Sequence, residues 1–436
     1  MRIFPLVLAG LCSLSMGCRS YDHHIRSIQE HFYANDPDQA AELIEKEFEA
    51  GFWGRFSEDE HDLLRLELAS ALQAAGHYKR AAEQLATADE NLEFLDYQTT
   101  TAADLGDFLF ASGSVWRAST AERVLVNTEA MLNRLCQDTP NLSDAMVEAR
   151  RFGILIDQQG LPEDEVYAND FAMALAGFCM EQGGRLSEVN DYWRDVEGAN
   201  PMRRADGVEA SDDTGTLLVV AQLGKAPIRR EVRIVFPVDG IPYQMRIPVL
   251  VERHDTFRSA RVLVDGKPAG ELQPMFDLGQ HLEAQYDRDK GKILAAAATQ
   301  LVARSLVARS ARLAAQGGSD DSGWTWLLEV ATNLFLTELQ PPDTRGWSLV
   351  PQRFHALRLE LPVGDHDVSI VLEGDRAKNL KPRTVSITSE VPRTLNVISD
   401  KYRTWSSTPP DVPIPDVTQW QNAATAASII RAAVHH

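Results

Sequence analysis

The sequence predicts a multidomain α + β chain: an all-α N-terminal half of helical repeats, then an antiparallel β-sandwich interrupted by a helical hairpin. Three observations predict it. Residues 21–195 place apolar side chains at helical spacing with little strand-like alternation. From about residue 216 the pattern changes to short runs of period two, separated by turn residues. Between about 277 and 340 it changes again, to Ala- and Leu-rich stretches of helical spacing. A chain of 436 residues is long enough for two or three domains, and its 44% hydrophobic and 24% charged content is that of a folded globular protein. The expected division is a signal peptide at 1–17, a helical repeat domain at 18–197, a linker at 198–215, a β domain at 216–405 and a tail at 406–436.

In the helical half the clearest unit is "LRLELASALQAAGHYKRAAEQLATADE", residues 64–90. Leu68, Ala69, Leu72, Gly76, Tyr78, Ala81, Leu85 and Ala88 stand at the offsets of a tetratricopeptide repeat. Gly76 allows a tight turn between two helices. Ala69 and Ala81 let the helices approach closely, and Leu72, Tyr78 and Leu85 fill the space beside them. A weaker copy lies at "YANDPDQAAELIEKEFE", with Ala40 in the role of Ala81, and "GFWGRFSEDE" lengthens the spacing between the copies. Two further helices are expected at "ASTAERVLVNTEAMLNRLCQ" and "NLSDAMVEARRFGILIDQQG", the second capped by Asn141 or Ser143. The array is expected to end near Tyr192 and Trp193.

"GANPMRRADGVEASDDTG" marks the linker by its Gly, Pro and Asp content. The strands that follow are "GTLLVVAQLG", "REVRIVFPV", "YQMRIPVLVE" and "SARVLVDGKPAGEL", the last turning at Asp265-Gly266. Later, "HALRLELPVGDHDVSIVLEG" puts Leu357, Leu359 and Leu361 on one face, and Val368, Ile370 and Leu372 on one face of the next strand. "KPRTVSITSEVPRTLNVIS" completes the set. The insert reads as two helices, "DKGKILAAAATQLVARSLVARSARLAAQ" and "SGWTWLLEVATNLFLTEL", joined by "GGSDDSG". The first carries six basic side chains against two acidic ones between Asp287 and Arg312, and the second is strongly apolar.

The N-terminus reads "MRIFPLVLAGLCSLSMGCRS". Arg2 gives a positive start, and Ile3 to Met16 form an apolar run too short to span a bilayer. Gly17 before Cys18 resembles a bacterial lipobox, in which the cysteine is lipidated and becomes the mature N-terminus. Ser15 stands where that pattern prefers Leu. Ser15 and Gly17 also fit an ordinary secretory cut that exposes the same Cys18. By resemblance to the usual sorting rule, Arg19 after the cysteine favours the outer membrane. Besides Cys12 and Cys18 the chain holds Cys136 and Cys179, a candidate disulfide if the mature protein sits in an oxidising compartment.

Several stretches resemble a family of bacterial lipoproteins with tetratricopeptide-type repeats: "AERVLVNTEAMLNRL", "DAMVEARRFGIL", "DTRGWSLVPQRFHALRLELPVGDHDV" and the Ala-rich insert. Asp343, Thr344, Arg345, Trp347, Leu349-Val350-Pro351 and the Leu-Pro-x-Gly at 361–364 are the most specific part. The resemblance implies an envelope location and no enzymatic activity.

The formal net charge of −20, from 43 basic and 63 acidic residues, excludes nucleic acid as the main partner, since phosphate binding needs a basic surface. Residues 30–96 hold 17 acidic side chains against 5 basic ones, either a solvated surface or a face for basic partners or divalent cations. The eleven histidines are scattered, and no H-E-x-x-H, C-x-x-C pair, G-x-S-x-G or phosphate loop is present, so no catalytic residue, metal ligand or cofactor is assigned. One loop, "PPDTRGWSLVP", looks specified residue by residue. Asp343 is placed to pair with Arg345, and Arg345 to stack on Trp347. The loop is read either as a site for an anionic or sugar ligand or as a lock that returns the insert to the β domain. The expected function is that of a non-catalytic outer-membrane lipoprotein facing the periplasm. It would bind other envelope proteins or peptides through its repeats, or alternatively bind cell-wall glycan through its β domain.

Overall fold

The computed structural model describes residues 21–51, 54–98, 115–158, 169–194, 196, 199–204, 211–238, 241–316, 329, 330, 332, 337 and 342–398. Cys18, the signal peptide and the 406–436 tail lie outside these residues. The fold is mixed, with helices in the first half and mostly antiparallel sheets in the second.

Eight helices follow one another: α1 (Tyr21–Tyr33), α2 (Pro37–Ala50), α3 (His61–Ala74), α4 (Tyr78–Gln98), α5 (Thr120–Leu135), α6 (Leu142–Gln158), α7 (Asp170–Gln182) and α8 (Leu186–Trp193). Each packs on the next. Their starts are written in local chemistry. The Asp36 carboxylate accepts from Gln39 N ahead of Pro37, Ser119 and Glu122 form a capping box, and the Asn169 side chain accepts from Ala172 N. Of the two candidates for the α6 cap, Asn141 takes the role, accepting from Asp144 N at 3.1 Å. The turn between α3 and α4 runs through Gly76 at φ 84°, and Leu68, Ala69, Leu72, Ala81, Leu85 and Ala88 around it are all buried.

Strand β1 (Thr214–Leu223) centres the second half. It pairs antiparallel with β7 (Arg353–Pro362), which pairs antiparallel with β6 (Gln273–Asp277). On its other edge β1 pairs parallel with β11 (Arg393–Ile398), so the sheets are not wholly antiparallel as expected. The reason is connectivity: β11 returns after a crossing through the second sheet and enters in the direction of β1. That second sheet has the order β10-β8-β4-β5, from Arg383–Ile387, Gly364–Gly374, Phe257–Val264 and Lys267–Glu271, with β9 (Lys378–Asn379) beside β8. The "PVGD" turn therefore carries the chain from one sheet to the other rather than closing a hairpin. Asp265 and Gly266, at φ 50° and 76°, form the expected tight turn between β4 and β5. A two-stranded ribbon, β2 (Ile228–Val238) and β3 (Ile241–Val251), stands apart.

Burial explains why β1 is an unbroken apolar run. Leu217, Val219, Ala221 and Leu223 join Phe257, Val262, Ile370 and Leu372 in a core between the two larger sheets. Leu218 and Val220, on the opposite face, join the core of the helical half with Phe354, Ala356 and Trp347. The helical half thus lies against the outer face of the β1 sheet, with the rings of Phe171 and Phe354 5.1 Å apart. Part of the expected linker is pinned there too: Arg358 N donates to Pro201 O at 3.0 Å, and Met202 is fully buried.

The insert begins as one helix, α9 (Leu278–Gln316), 39 residues long. It starts eleven residues before the stretch expected, because Asp277 at the end of β6 accepts from Gln280 N and caps it at once. No helix among the described residues is long and apolar enough to cross a membrane. Of the expected second helix, Glu329, Val330, Thr332 and Thr337 are described and are helical; the joining "GGSDDSG" lies outside the described residues. α9 packs on β3 through Ala297, Leu301, Met245 and Ile247, a third small core. Cys136 and Cys179 do not pair: both are free, one at the end of α5 and one inside α7, and burial pushes both thiols well above their usual range.

The close approach of α7 and α8 depends on Gly177. A Cβ there would lie 2.1 Å from the Trp193 indole nitrogen, which donates to Ala174 O at 3.1 Å. Gly177→Ala must displace that ring, and we expect a loss of about 1–3 kcal/mol in urea unfolding.

Candidate functional site

The loop at 342–350 is where the helical half, the β half and α9 meet. Asp343 and Arg345 form the expected pair, with two contacts of 2.9 Å from Arg345 Nε and Nη2 to Asp343 Oδ1 and Oδ2. Burial disfavours the guanidinium's charge, but the Asp343 carboxylate outweighs it and holds the pKa above its ordinary value. Trp347 does not stack on Arg345. Its indole Nε1 donates to Ser70 Oγ at 2.8 Å, and its backbone N–H donates to Glu122 Oε1 at 2.9 Å. Arg345 and Trp347 are 2% and 3% exposed, so neither offers a face on which a sugar ring could stack.

The loop is a clasp rather than an open site, and it closes on the helical half rather than only on the β domain. Its anchor is Glu67, fully buried in α3. Glu67 Oε1 accepts from Ser348 N at 2.7 Å, Ser348 Oγ at 2.6 Å and Tyr21 Oη at 3.2 Å, while Oε2 accepts from Leu349 N at 2.8 Å. Burial pushes the Glu67 carboxyl up to about 7 even though the Ser348 and Leu349 donors pull it down. Arg253 adds a second strap. Its guanidinium donates to Ser348 O and Ala226 O, each at 2.6 Å, and to Tyr33 Oη at 2.7 Å. Glu129 of α5 makes a third link, accepting from Gln222 Nε2 of β1 at 3.0 Å and from Gln73 Nε2 of α3 at 2.5 Å. Burial raises its carboxyl to about 7, against the pull of the Gln73 and Gln222 amide donors.

Two cavities, each of about 380 Å³, flank the clasp. The first lies against the start of α1 and is lined by Asp22, Arg26, Arg229, Arg230 and Trp347. Burial raises the Asp22 carboxyl to about 6, opposed by its bond to Thr344 and by Arg230 and Arg26. The second runs between α9 and β3, past Arg117, Pro248, Tyr286, Ile293 and Ala297. Arg229, Leu250 and Leu282 line both. Among the described residues no group of three or more His, Cys, Asp or Glu side chains is placed to hold a metal ion. Comparison with protein-family models, with curated proteins and with solved structures finds no match.

The sequence singled out Asp343, Arg345 and Trp347 and missed the groups that hold them. Glu67 had a readable signal, since it stands in the row Leu63, Glu67, Ala71 on the apolar side of its helix. Glu129, Gln222, Arg229 and Arg253 had none.

Both Glu67 oxygens face N–H donors, so a Gln there must aim its amide hydrogens at one of them in either orientation. Glu67→Gln is expected to cost about 2–4 kcal/mol in urea unfolding and to speed hydrogen exchange at the Leu349 amide. For Glu129 the folded pKa of about 7 lies above the unfolded carboxylate value, so its favourable contribution is complete at acid pH and is lost as pH rises through 7. Glu129→Gln should therefore compare better with the native chain at pH 8 than at pH 5, measured by unfolding at both.

Proposed function

We propose that this chain is an envelope lipoprotein, held by a lipidated Cys18, that acts as a non-catalytic scaffold for other envelope proteins. In this reading the helical half is a tetratricopeptide-like array and the two larger sheets form a β-sandwich. The buried positions around Gly76 and the core shared by the two sheets support those assignments.

The observation that carries the reading is the packing of the array on its own sheet. Arrays of this kind generally take a partner on one face. Here the face of α1, α3, α5 and α7 toward the sheet is filled by Trp347, Phe354, Gln222 and Leu218 of the same chain. The perturbed carboxyls Glu67 and Glu129 serve that packing, with their oxygens taken by backbone, hydroxyl and amide donors. A partner then engages the outward side, where Asp38, Glu42, Glu83 and Glu90 are exposed and suit a basic surface.

The test is crosslinking in cells with Cys18 intact. A specific envelope protein should be recovered, and Glu83→Lys with Glu90→Lys should abolish its capture. Recovery of nothing above background overturns the scaffold. Mass spectrometry of the mature N-terminus should find an acylated Cys18, and an unmodified cysteine in native membranes overturns the anchor.

A further inference from the structure

The two cavities beside the clasp are unlike the rest of an acidic molecule. Arg26, Arg117 and Arg229 line them, and none of the three is in an ion pair with a carboxylate of the described residues; Arg229 makes one long contact, to Arg345 O at 3.4 Å. The acids nearby are already engaged: Asp343 by Arg345, Glu231 by Arg246 and Arg233, Asp289 by Lys292, Glu122 by Ser119 and Trp347, and Asp22 by Thr344 and by the fields of Arg230 and Arg26, the latter without an ion pair. Half-buried Arg229 stands in the wall common to both cavities.

The second cavity is elongated. Its α9 wall runs from Leu282 through Gln285, Tyr286, Asp289, Ile293 and Ala297 to Gln300; Leu282, Tyr286, Ile293 and Ala297 form its apolar stripe, and its one carboxylate, Asp289, is held by Lys292. The fifteen steps of helix from Leu282 to Ala297 rise about 22 Å, close to the length of one extended long acyl chain. Across from the stripe stand Pro248 and Leu250 of β3. Arg229 stands in the wall the two cavities share, with Arg26 lining the first and Arg117 the second, and Leu282, Tyr286, Ile293 and Ala297 give the α9 wall its apolar part.

We propose that the paired cavities form one site for a single-chain anionic amphiphile, its head held by Arg229 with Arg26 and Arg117 and its chain laid along the Leu282–Ala297 stripe. A guanidinium without a carboxylate partner supplies paired donors to a carboxylate or a phosphate, and the stripe removes a hydrocarbon chain from water. A compact acidic peptide would leave the long stripe uncovered. The site rests on the cavities alone and stands or falls independently of the anchor and of the scaffold.

The full chain, freed of co-purifying lipid, is titrated with the fluorescent fatty acid cis-parinaric acid and then competed with other probes. Palmitate or lysophosphatidylglycerol is expected to displace it, and which does so more strongly identifies a carboxylate or a phosphate head. Inorganic phosphate and an alkyl-trimethylammonium of the same chain length are expected not to. Arg229→Gln should weaken binding by about tenfold or more. Arg26→Gln and Arg117→Gln, at exposed positions that do not bear on folding, should each weaken it less, while far-UV circular dichroism stays unchanged. Equal displacement by the cationic amphiphile, displacement by phosphate alone or by an acidic peptide, failure of palmitate and lysophosphatidylglycerol to compete, or unchanged affinity in the Arg26 and Arg117 variants overturns the proposal.

Discussion

A carboxyl group buried inside a helix bundle is costly unless every lone pair is answered, and Glu67 is answered mainly by the other half of the chain. Its donors are the backbone N–H groups of Ser348 and Leu349, the Ser348 hydroxyl and the Tyr21 hydroxyl. Residues separated by 281 positions in sequence are thereby fixed within hydrogen-bond distance. The loop so fixed leads straight into β7, which pairs with β1 along its whole length. The position of the sheet against the helices follows from where α3 holds that loop.

The same economy appears in β1. A strand with one face solvated alternates polar and apolar residues, but β1 is buried on both faces and belongs to two cores at once. The helical half and the facing sheets are therefore coupled through a single strand. Buried polar pairs such as Glu129 with Gln222 set the register of that contact, because an apolar surface alone would tolerate sliding. The third core, between α9 and β3, is small and separate. The cavities are lined by α9 and β3 together with residues of the helical half.

The helices that were legible had local signals: a cap at Asn141, a glycine turn at residue 76, and apolar rows three or four residues apart; the caps at Asp36, Ser119 and Asn169 are equally local but were not singled out. β7 and β8 were legible from period two, whereas β1 was legible as a short apolar run bounded by turn residues. The Asp343–Arg345 pair was legible because the partners stand two residues apart. Trp347 was recognisable as a specified residue, yet its burial was not, since its indole meets Ser70 from 277 residues away. The parallel pairing of β1 with β11 depends on a path through another sheet that no local pattern records.

By itself the sequence determined the division into a helical and a stranded half, the type of most elements, and an acidic composition with an apolar run ahead of Cys18. Only the tertiary structure decided that the loop at 342–350 is a clasp, that Cys136 and Cys179 stay apart, and that Arg229 stands in a wall shared by two cavities, one lined by Arg26 and the other by Arg117. The reason is the range of the interactions. Propensity, capping and periodicity act over a turn or two of backbone. The satisfaction of buried polar groups and the shape of the space between elements depend on residues brought together across hundreds of positions.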